Sequence, residues 1–129
     1  MAFDNTQIIS VPAGTTFAET DLYKAVEVSS TGGAIIYGTG GSTGGKGWIG
    51  TLYSVTATTN AGEAVQVGVG PVIKLFAAGS TASFGNTLTA ATEDGHFVAA
   101  GATDEGARLV SIIGGSSGTT GRILTGVIV

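Results

Sequence analysis

The sequence predicts an all-β fold, namely a small barrel or sandwich built from an internal duplication, with at most one short helical turn. Its apolar residues either alternate with polar ones or form brief runs, which is the pattern of strands rather than helices. These segments are rich in β-branched and aromatic residues, which fit a pleated surface. Gly occupies 23 of the 129 positions, more than twice its usual share of about 7%, so turns must be frequent.

The predicted strands follow one another along the whole chain. Segment 65–69 alternates strictly, whereas segments such as 34–37 are short apolar runs that end at a Gly. Only residues 18–23 allow a helical turn. In chain order, the predicted strands are residues 8–11, 25–28, 34–37, 48–55, 65–69, 72–76, 97–99, 109–113 and 123–129.

Three turn segments recur in the same order, which indicates a duplication. Residues 11–16 match residues 76–81, residues 31–36 match 93–98, and residues 60–65 match 119–124. Turns that need a positive φ are restricted mainly to Gly, Asn or Asp, so they persist where apolar residues interchange. We expect one domain over residues 1–129, with an N-terminal arm at 1–7, a first half at 8–70 and a second half at 71–129.

The composition argues against several classes of function. Only 11% of the residues are charged and the net charge is −4, so the chain lacks the basic footprint of a nucleic-acid-binding protein. No apolar stretch reaches the 18 or so residues of a membrane helix, and the N-terminus lacks the basic and apolar regions of a signal peptide. Cysteine is absent, which removes disulfides and thiolate chemistry. We therefore expect no direct nucleic-acid partner, no membrane contact and no signal peptide.

Two motifs imitate catalytic or ligand-binding sites. Gly40 and Gly45-Lys46 have the spacing of a phosphate-binding loop, but Gly47 stands where Ser or Thr would bind Mg²⁺, and a strand rather than a helix follows. His96 is the sole imidazole, so a His-rich metal site is excluded. We expect no catalytic residue, metal or cofactor, and hence no enzyme; a small hydrolase centred on His96 stays open as an alternative.

Two groups of residues are candidates for contact with a partner. The arm carries Phe3 and leads into Ile8 and Ile9, each of which contributes about 1.5–3 kcal/mol if it becomes buried. Trp48 and Tyr53 follow a Gly-rich segment at 38–47 and are either core aromatics or partner-contact aromatics. If they stack on a sugar, the protein is a carbohydrate-binding or fibre-tip module.

The chain resembles the small capsid decoration, or cement, proteins of tailed bacteriophages. The matching segments span nearly all of its length, although Asn86 replaces the usual Asp and the segment 38–47 is longer than expected. They are Val11-Pro12-Ala13-Gly14-Thr15, residues 61–67, Gly70-Pro71-Val72, residues 85–88, residues 94–100 and the closing strand 123–129.

This resemblance implies a non-enzymatic virion protein that is made in the host cytoplasm and binds the outer surface of an assembled head. It implies a homotrimer at three-fold or quasi-three-fold positions that contacts the major capsid protein and stabilises the lattice. Phe3, Ile8 and Ile9 would then form the capsid-binding arm, which we expect to add a strand to the edge of a capsid sheet. No cofactor is expected.

Overall fold

The computed structural model describes residues 6–40, 45–54, 58–77, 87–90, 95–100, 107–115 and 122–129. Within these ranges the chain is almost entirely β, with one short 3-10 turn at Glu19–Asp21, so the predicted all-β class is confirmed. The strands are β1 (Thr6–Pro12), β2 (Phe17–Ala18), β3 (Ala25–Val28), β4 (Ala34–Ile36), β5 (Gly50–Ser54), β6 (Thr58–Thr59), β7 (Ala64–Ala77), β8 (Thr87–Ala90), β9 (Phe97–Ala99), β10 (Val110–Gly115) and β11 (Arg122–Ile128).

Strand β7 pairs with strands from both halves of the chain. The sequence predicts two strands in this region, at residues 65–69 and 72–76. The structure instead has a single strand of 14 residues, which changes its partners near Gly70, a residue with φ of +101°. The sequence also predicted a strand from residue 48, whereas β5 begins at Gly50, and it missed β2 and β6.

The second half of the chain forms a closed five-stranded barrel. Its strands follow the order β7, β11, β10, β8 and β9, and β9 returns to β7. The pairs are antiparallel except at the closure, where Ala77 pairs in parallel with Phe97. Closure removes the exposed sheet edges that would otherwise have to be covered.

The first half forms a second ring of five strands that also uses β7. Its strands pair in the order β1, β7, β5, β3 and β4, and among the described strands no ladder joins β4 to β1. A single parallel bridge between Ala13 and Ala34 closes the ring, and the backbone N–H of Gly14 donates to the carbonyl oxygen of Ala34 at 2.8 Å. We call the ring of the first half barrel 1 and the ring of the second half barrel 2.

The two barrels have the same order of pairings, strand for strand. Strands β1, β3, β4 and β5 correspond to the end of β7, β8, β9 and β10, and the start of β7 corresponds to β11. Even an irregularity is repeated, since the register shifts between Leu52 and Ser54 in barrel 1 and between Ile112 and Gly114 in barrel 2. This correspondence is what the predicted duplication would produce. The limits 8–70 and 71–129 stay predictions, because their common boundary lies inside the shared strand β7.

The core consists of two apolar clusters, one in each barrel. Barrel 1 is filled by residues such as Phe17, Leu52 and Val67. Barrel 2 is filled by its own Leu, Ile and Phe side chains, but also by Tyr37 and Trp48 from the first half of the chain. The halves therefore share a core. Among the described residues, no helix has the length and apolar character needed to cross a bilayer.

Candidate interaction surface

The structure separates the three residues of the predicted arm. Phe3 lies outside the described residues, whereas Ile8 and Ile9 belong to β1 and pair with Gly68 and Val67 of β7. Because successive strand residues point to opposite faces, Ile9 packs against the core of barrel 1 and Ile8 is 46% exposed. Ile9 is partly buried against the protein's own core, and its assignment as a partner contact stays a prediction.

The outer edge of β1 is the part of this strand that faces away from β7. Among the described strands, β1 forms a ladder with β7 alone, and the bridge at Ala13 lies just beyond its last residue, Pro12. An edge of this kind presents backbone N–H and C=O groups that can pair with another strand. Its exposed side chains include Gln7, Ile8 and Ser10. The β1 edge, defined by these three residues, is one candidate interaction surface.

Trp48 is a core residue, which contradicts its interpretation as a partner-contact aromatic. Its side chain is 1% exposed, and its ring packs edge-on against Phe97 with the ring centroids 5.1 Å apart. The guanidinium of Arg108 lies over the Trp48 ring, 4.6 Å from its centroid. A ring enclosed in this way has no face left for a sugar or for another protein.

Arg108 and Trp48 are held together by reciprocal hydrogen bonds across the two barrels. The indole Nε1–H of Trp48 donates to the carbonyl oxygen of Arg108 at 3.2 Å, and the guanidinium of Arg108 donates to the carbonyl oxygen of Trp48 at 3.0 Å. Burial lowers the pKa of the Arg108 guanidinium below its ordinary value. The two residues precede the corresponding strands β5 and β10 by the same two positions, so the duplication brings them face to face.

Tyr53 lies on the surface of barrel 1 and remains a candidate for partner contact. Its ring is half-buried, meets Tyr23 edge-on at 5.5 Å between centroids, and covers Gly68, where a Cβ would collide with the ring. The Tyr53 hydroxyl oxygen accepts a hydrogen bond from the backbone N–H of Lys74 at 2.6 Å, and the Lys74 ammonium lies 5.9 Å from the Tyr23 ring centroid. This packing holds Tyr53 in place while part of its ring stays accessible.

The imidazole of His96 packs against an aromatic ring. The imidazole stacks on the ring of Phe76 with centroids 4.9 Å apart and an angle of 27° between the planes. The neighbouring Glu93 and Asp94 lie outside the described residues. Within the described part of the chain, no group of three or more His, Cys, Asp or Glu side chains is placed to hold a metal ion.

An apolar cleft opens beside the β1 edge. Its volume is about 190 Å³, and it lies where the end of β1 approaches the hairpin of β3 and β4. Every lining residue is apolar or Gly, and the sequence offered no signal for it because its walls come from distant segments. The lining residues are Val11, Pro12, Val28, Gly33, Ala34 and Ile49. We call this feature the barrel 1 cleft.

Comparison with known proteins supplies a structural relative. No family model matches the chain, and no curated protein matches it. Among solved structures, it is similar to the head fiber gp8.5 N base of bacteriophage phi29, with a TM-score of 0.60 over 96% of this chain and 94% of that one. The two chains share a fold. Their sequences are 17% identical, so the likeness concerns the architecture.

Proposed function

We propose that this protein is a structural component of a bacteriophage virion that binds the outside of the head. The observation that carries the proposal is the similarity of fold, over 96% of the chain, to the base of a phage head fibre. The motif resemblance to capsid decoration proteins supports the same class of function from the sequence side. In this proposal the protein is a homotrimer at three-fold or quasi-three-fold positions, its partner is the major capsid protein, and it uses no cofactor and catalyses no reaction.

The surface chemistry supports a role in broad protein contacts. With 11% charged residues, few charges have to be desolvated when the surface is covered, and the desolvation of charges is a main cost of burial. Several large apolar side chains are exposed on the protein alone and would become more stable if a partner covered them. Among the described residues they are Ile8, Val28, Ile113, Ile123 and Val129.

The β1 edge is the part of the surface that we assign to the shell. An unpaired edge can accept a strand of the capsid protein, in which case backbone hydrogen bonds supply affinity and the alternate side chains supply specificity. Ile8 is exposed on this strand, and its side chain would contact the neighbouring side chain of an added strand. A protein that binds only the assembled lattice stabilises that lattice by mass action, and many copies on one head multiply a modest contact.

The residue on which the carbohydrate-binding alternative mainly depended is buried. It required Trp48 to stack on a sugar, and the Trp48 ring is buried between Phe97 and Arg108. Tyr53 alone remains on the surface, and its hydroxyl and one edge of its ring are already engaged. The structure therefore favours the virion proposal over a glycan-binding module.

The proposal is tested by mixing the purified protein with heads of the phage that encodes it and imaging the mixture by cryo-electron microscopy. Added density over the three-fold positions is expected for the wild-type protein, and bare heads at saturating protein would overturn the proposal. Ile8→Lys should reduce binding at least tenfold, because it places a charge in the covered edge. Ile123→Lys is the matched control, since Ile123 is 41% exposed but belongs to barrel 2. If Ile8→Lys saturates the heads as the wild type does, the assignment of the β1 edge is wrong.

A further inference from the structure

The backbone of β1 presents its hydrogen-bonding groups to two opposite sides, and the side changes with every residue. The N–H of Ala13 donates to the carbonyl oxygen of Glu63 at 2.8 Å, and the carbonyl oxygen of Ala13 accepts from the N–H of Gly62 at 2.8 Å. Both backbone groups of Ala13 therefore point toward the chain that leads into β7. Gly14 points the other way, since its N–H donates to the carbonyl oxygen of Ala34. Odd positions at this end of β1 thus face β7, and even positions face outward.

The same alternation holds nearer the beginning of the strand. Ile8 pairs with Gly68, and the carbonyl oxygen of Gly68 points toward β5, because a Cβ added to Gly50 would collide with that oxygen. Ile8 and Gly68 therefore exchange no hydrogen bonds with each other, which turns the N–H and C=O of Ile8 outward. The register shift beside Ile8 skips Val69 of β7, so β1 itself stays regular.

The outward backbone groups of Ile8 and Ser10 are open to a partner. Both residues lie at even positions, and both side chains are exposed. In the part of the chain that the structure describes, no strand forms a ladder on this side of them and no loop supplies a backbone hydrogen bond. Pro12, at the next even position, carries no N–H, and beyond it the hydrogen bond from Gly14 to Ala34 occupies the edge. The open stretch therefore ends before Pro12.

Pro12 shows that this edge tolerates the loss of an outward N–H. Proline is found in a sheet where its missing N–H faces away from the neighbouring strand, and Pro12 keeps its place in the ladder with Ala64 of β7. Ser10 has the same orientation as Pro12. A proline at residue 10 should therefore close the edge to a partner and leave the pairing with β7 intact.

We propose that Ile8 and Ser10 bind an extended segment of the shell protein through their backbone N–H and C=O groups, and that Pro12 ends this ladder. The inference rests on the proposed function, which places the β1 edge against the shell, and it specifies how the partner is recognised. Each residue offers a donor and an acceptor to the main chain of the segment. The position opposite Ile8 favours an apolar side chain, since apolar cross-strand pairs stabilise a sheet. The other side chains of the segment are free to vary.

Two proline variants test the direction of the backbone in the free protein. Ser10→Pro should keep the midpoint of thermal unfolding within about 4 °C of the wild type, whereas Val11→Pro, which removes an N–H that faces β7, should lower it by at least about 10 °C. Hydrogen exchange gives the same information without proline, because the amide of Ser10 should exchange at least about tenfold faster than that of Val11. If the two variants are equally destabilised, or if the two amides are equally protected, the inference fails.

Binding to heads tests the contact itself. Ser10→Pro should weaken binding at least about tenfold, because a carbonyl oxygen of the segment is covered without its donor. Ser10→Ala is the matched control, since it removes the same hydroxyl but keeps the N–H, and its binding should stay within about threefold of the wild type. On heads decorated with the wild-type protein, the amides of Ile8 and Ser10 should become protected from exchange.

The outcomes separate this inference from the proposal on which it rests. A folded Ser10→Pro protein that saturates heads as Ser10→Ala does overturns the inference and leaves the virion proposal in place. Equal weakening by the two variants would assign the contact to the Ser10 hydroxyl, and it would also overturn the inference. Heads that stay bare with the wild-type protein overturn the virion proposal, and the inference falls with it.

Discussion

Replacing Trp48 with Ala removes the side chain that joins the two barrels. The ring is 1% exposed, and deletion of a buried Trp or Phe side chain costs about 3–5 kcal/mol. The edge-on contact with Phe97 adds about 0.5–1.5 kcal/mol, and the stacked guanidinium of Arg108 adds about 0.5–1 kcal/mol. Since these contributions overlap, we expect the free energy of unfolding to fall by about 4–6 kcal/mol. That is a large share of the roughly 5–15 kcal/mol that stabilises a typical domain.

The measurement is urea unfolding followed by far-ultraviolet circular dichroism, because the variant lacks the Trp needed for fluorescence. Trp48→Phe should recover about half of the loss, since a smaller ring still fills part of the space. Tyr53→Ala is the matched control, and because Tyr53 is half-buried at the surface its loss should be about 1–2 kcal/mol. If Trp48→Ala costs no more than Tyr53→Ala, the view of Trp48 as the link between the barrels is refuted.

Three further variants test other parts of the fold by thermal unfolding, where 1 kcal/mol corresponds to about 4 °C. Arg108→Met keeps a side chain over Trp48 but loses the hydrogen bonds to two backbone carbonyl oxygens, so it should cost about 1–3 kcal/mol. An unchanged midpoint of thermal unfolding would show that these hydrogen bonds contribute nothing to stability. Glu27→Ala leaves two backbone N–H groups without their carboxylate acceptor and should cost about 1–3 kcal/mol. Glu27→Gln keeps an acceptor oxygen and should cost less, so equal losses for the two variants would contradict this reasoning. Gly50→Val drives a side chain into the carbonyl oxygen of Gly68 and should cost about 3 kcal/mol, so a wild-type midpoint would mean that the two strands separate easily.

The choice of shell contact was only partly predictable. Ile8 and Ile9 are adjacent and equally apolar in the sequence, and both were assigned to the arm. The structure distinguishes them because β1 pairs with β7, which turns Ile9 toward the core and leaves Ile8 exposed. Which face of a strand is buried depends on its partner, and β1 finds its partner more than 50 residues along the chain.

The sequence was equally unable to distinguish the buried aromatic candidate from the exposed one. Trp48 and Tyr53 lie five residues apart and both follow a Gly-rich segment, yet Trp48 enters the core of barrel 2 and Tyr53 stays on the surface of barrel 1. The barrel 1 cleft was not anticipated at all. Its lining comes from β1, the β3–β4 hairpin and Ile49, and no local pattern reports on residues that meet only after the ring closes.

By itself, the sequence determined the all-β class and the position of the single helical turn. It did so because alternation, β-branched residues and Gly-rich turns act over a few neighbouring residues. The tertiary structure alone decided that the two halves share β7, that Trp48 and Arg108 exchange hydrogen bonds, and that an apolar cleft forms beside β1. Those features depend on which strands meet, and strand pairing is a long-range choice that one strand's residues do not specify.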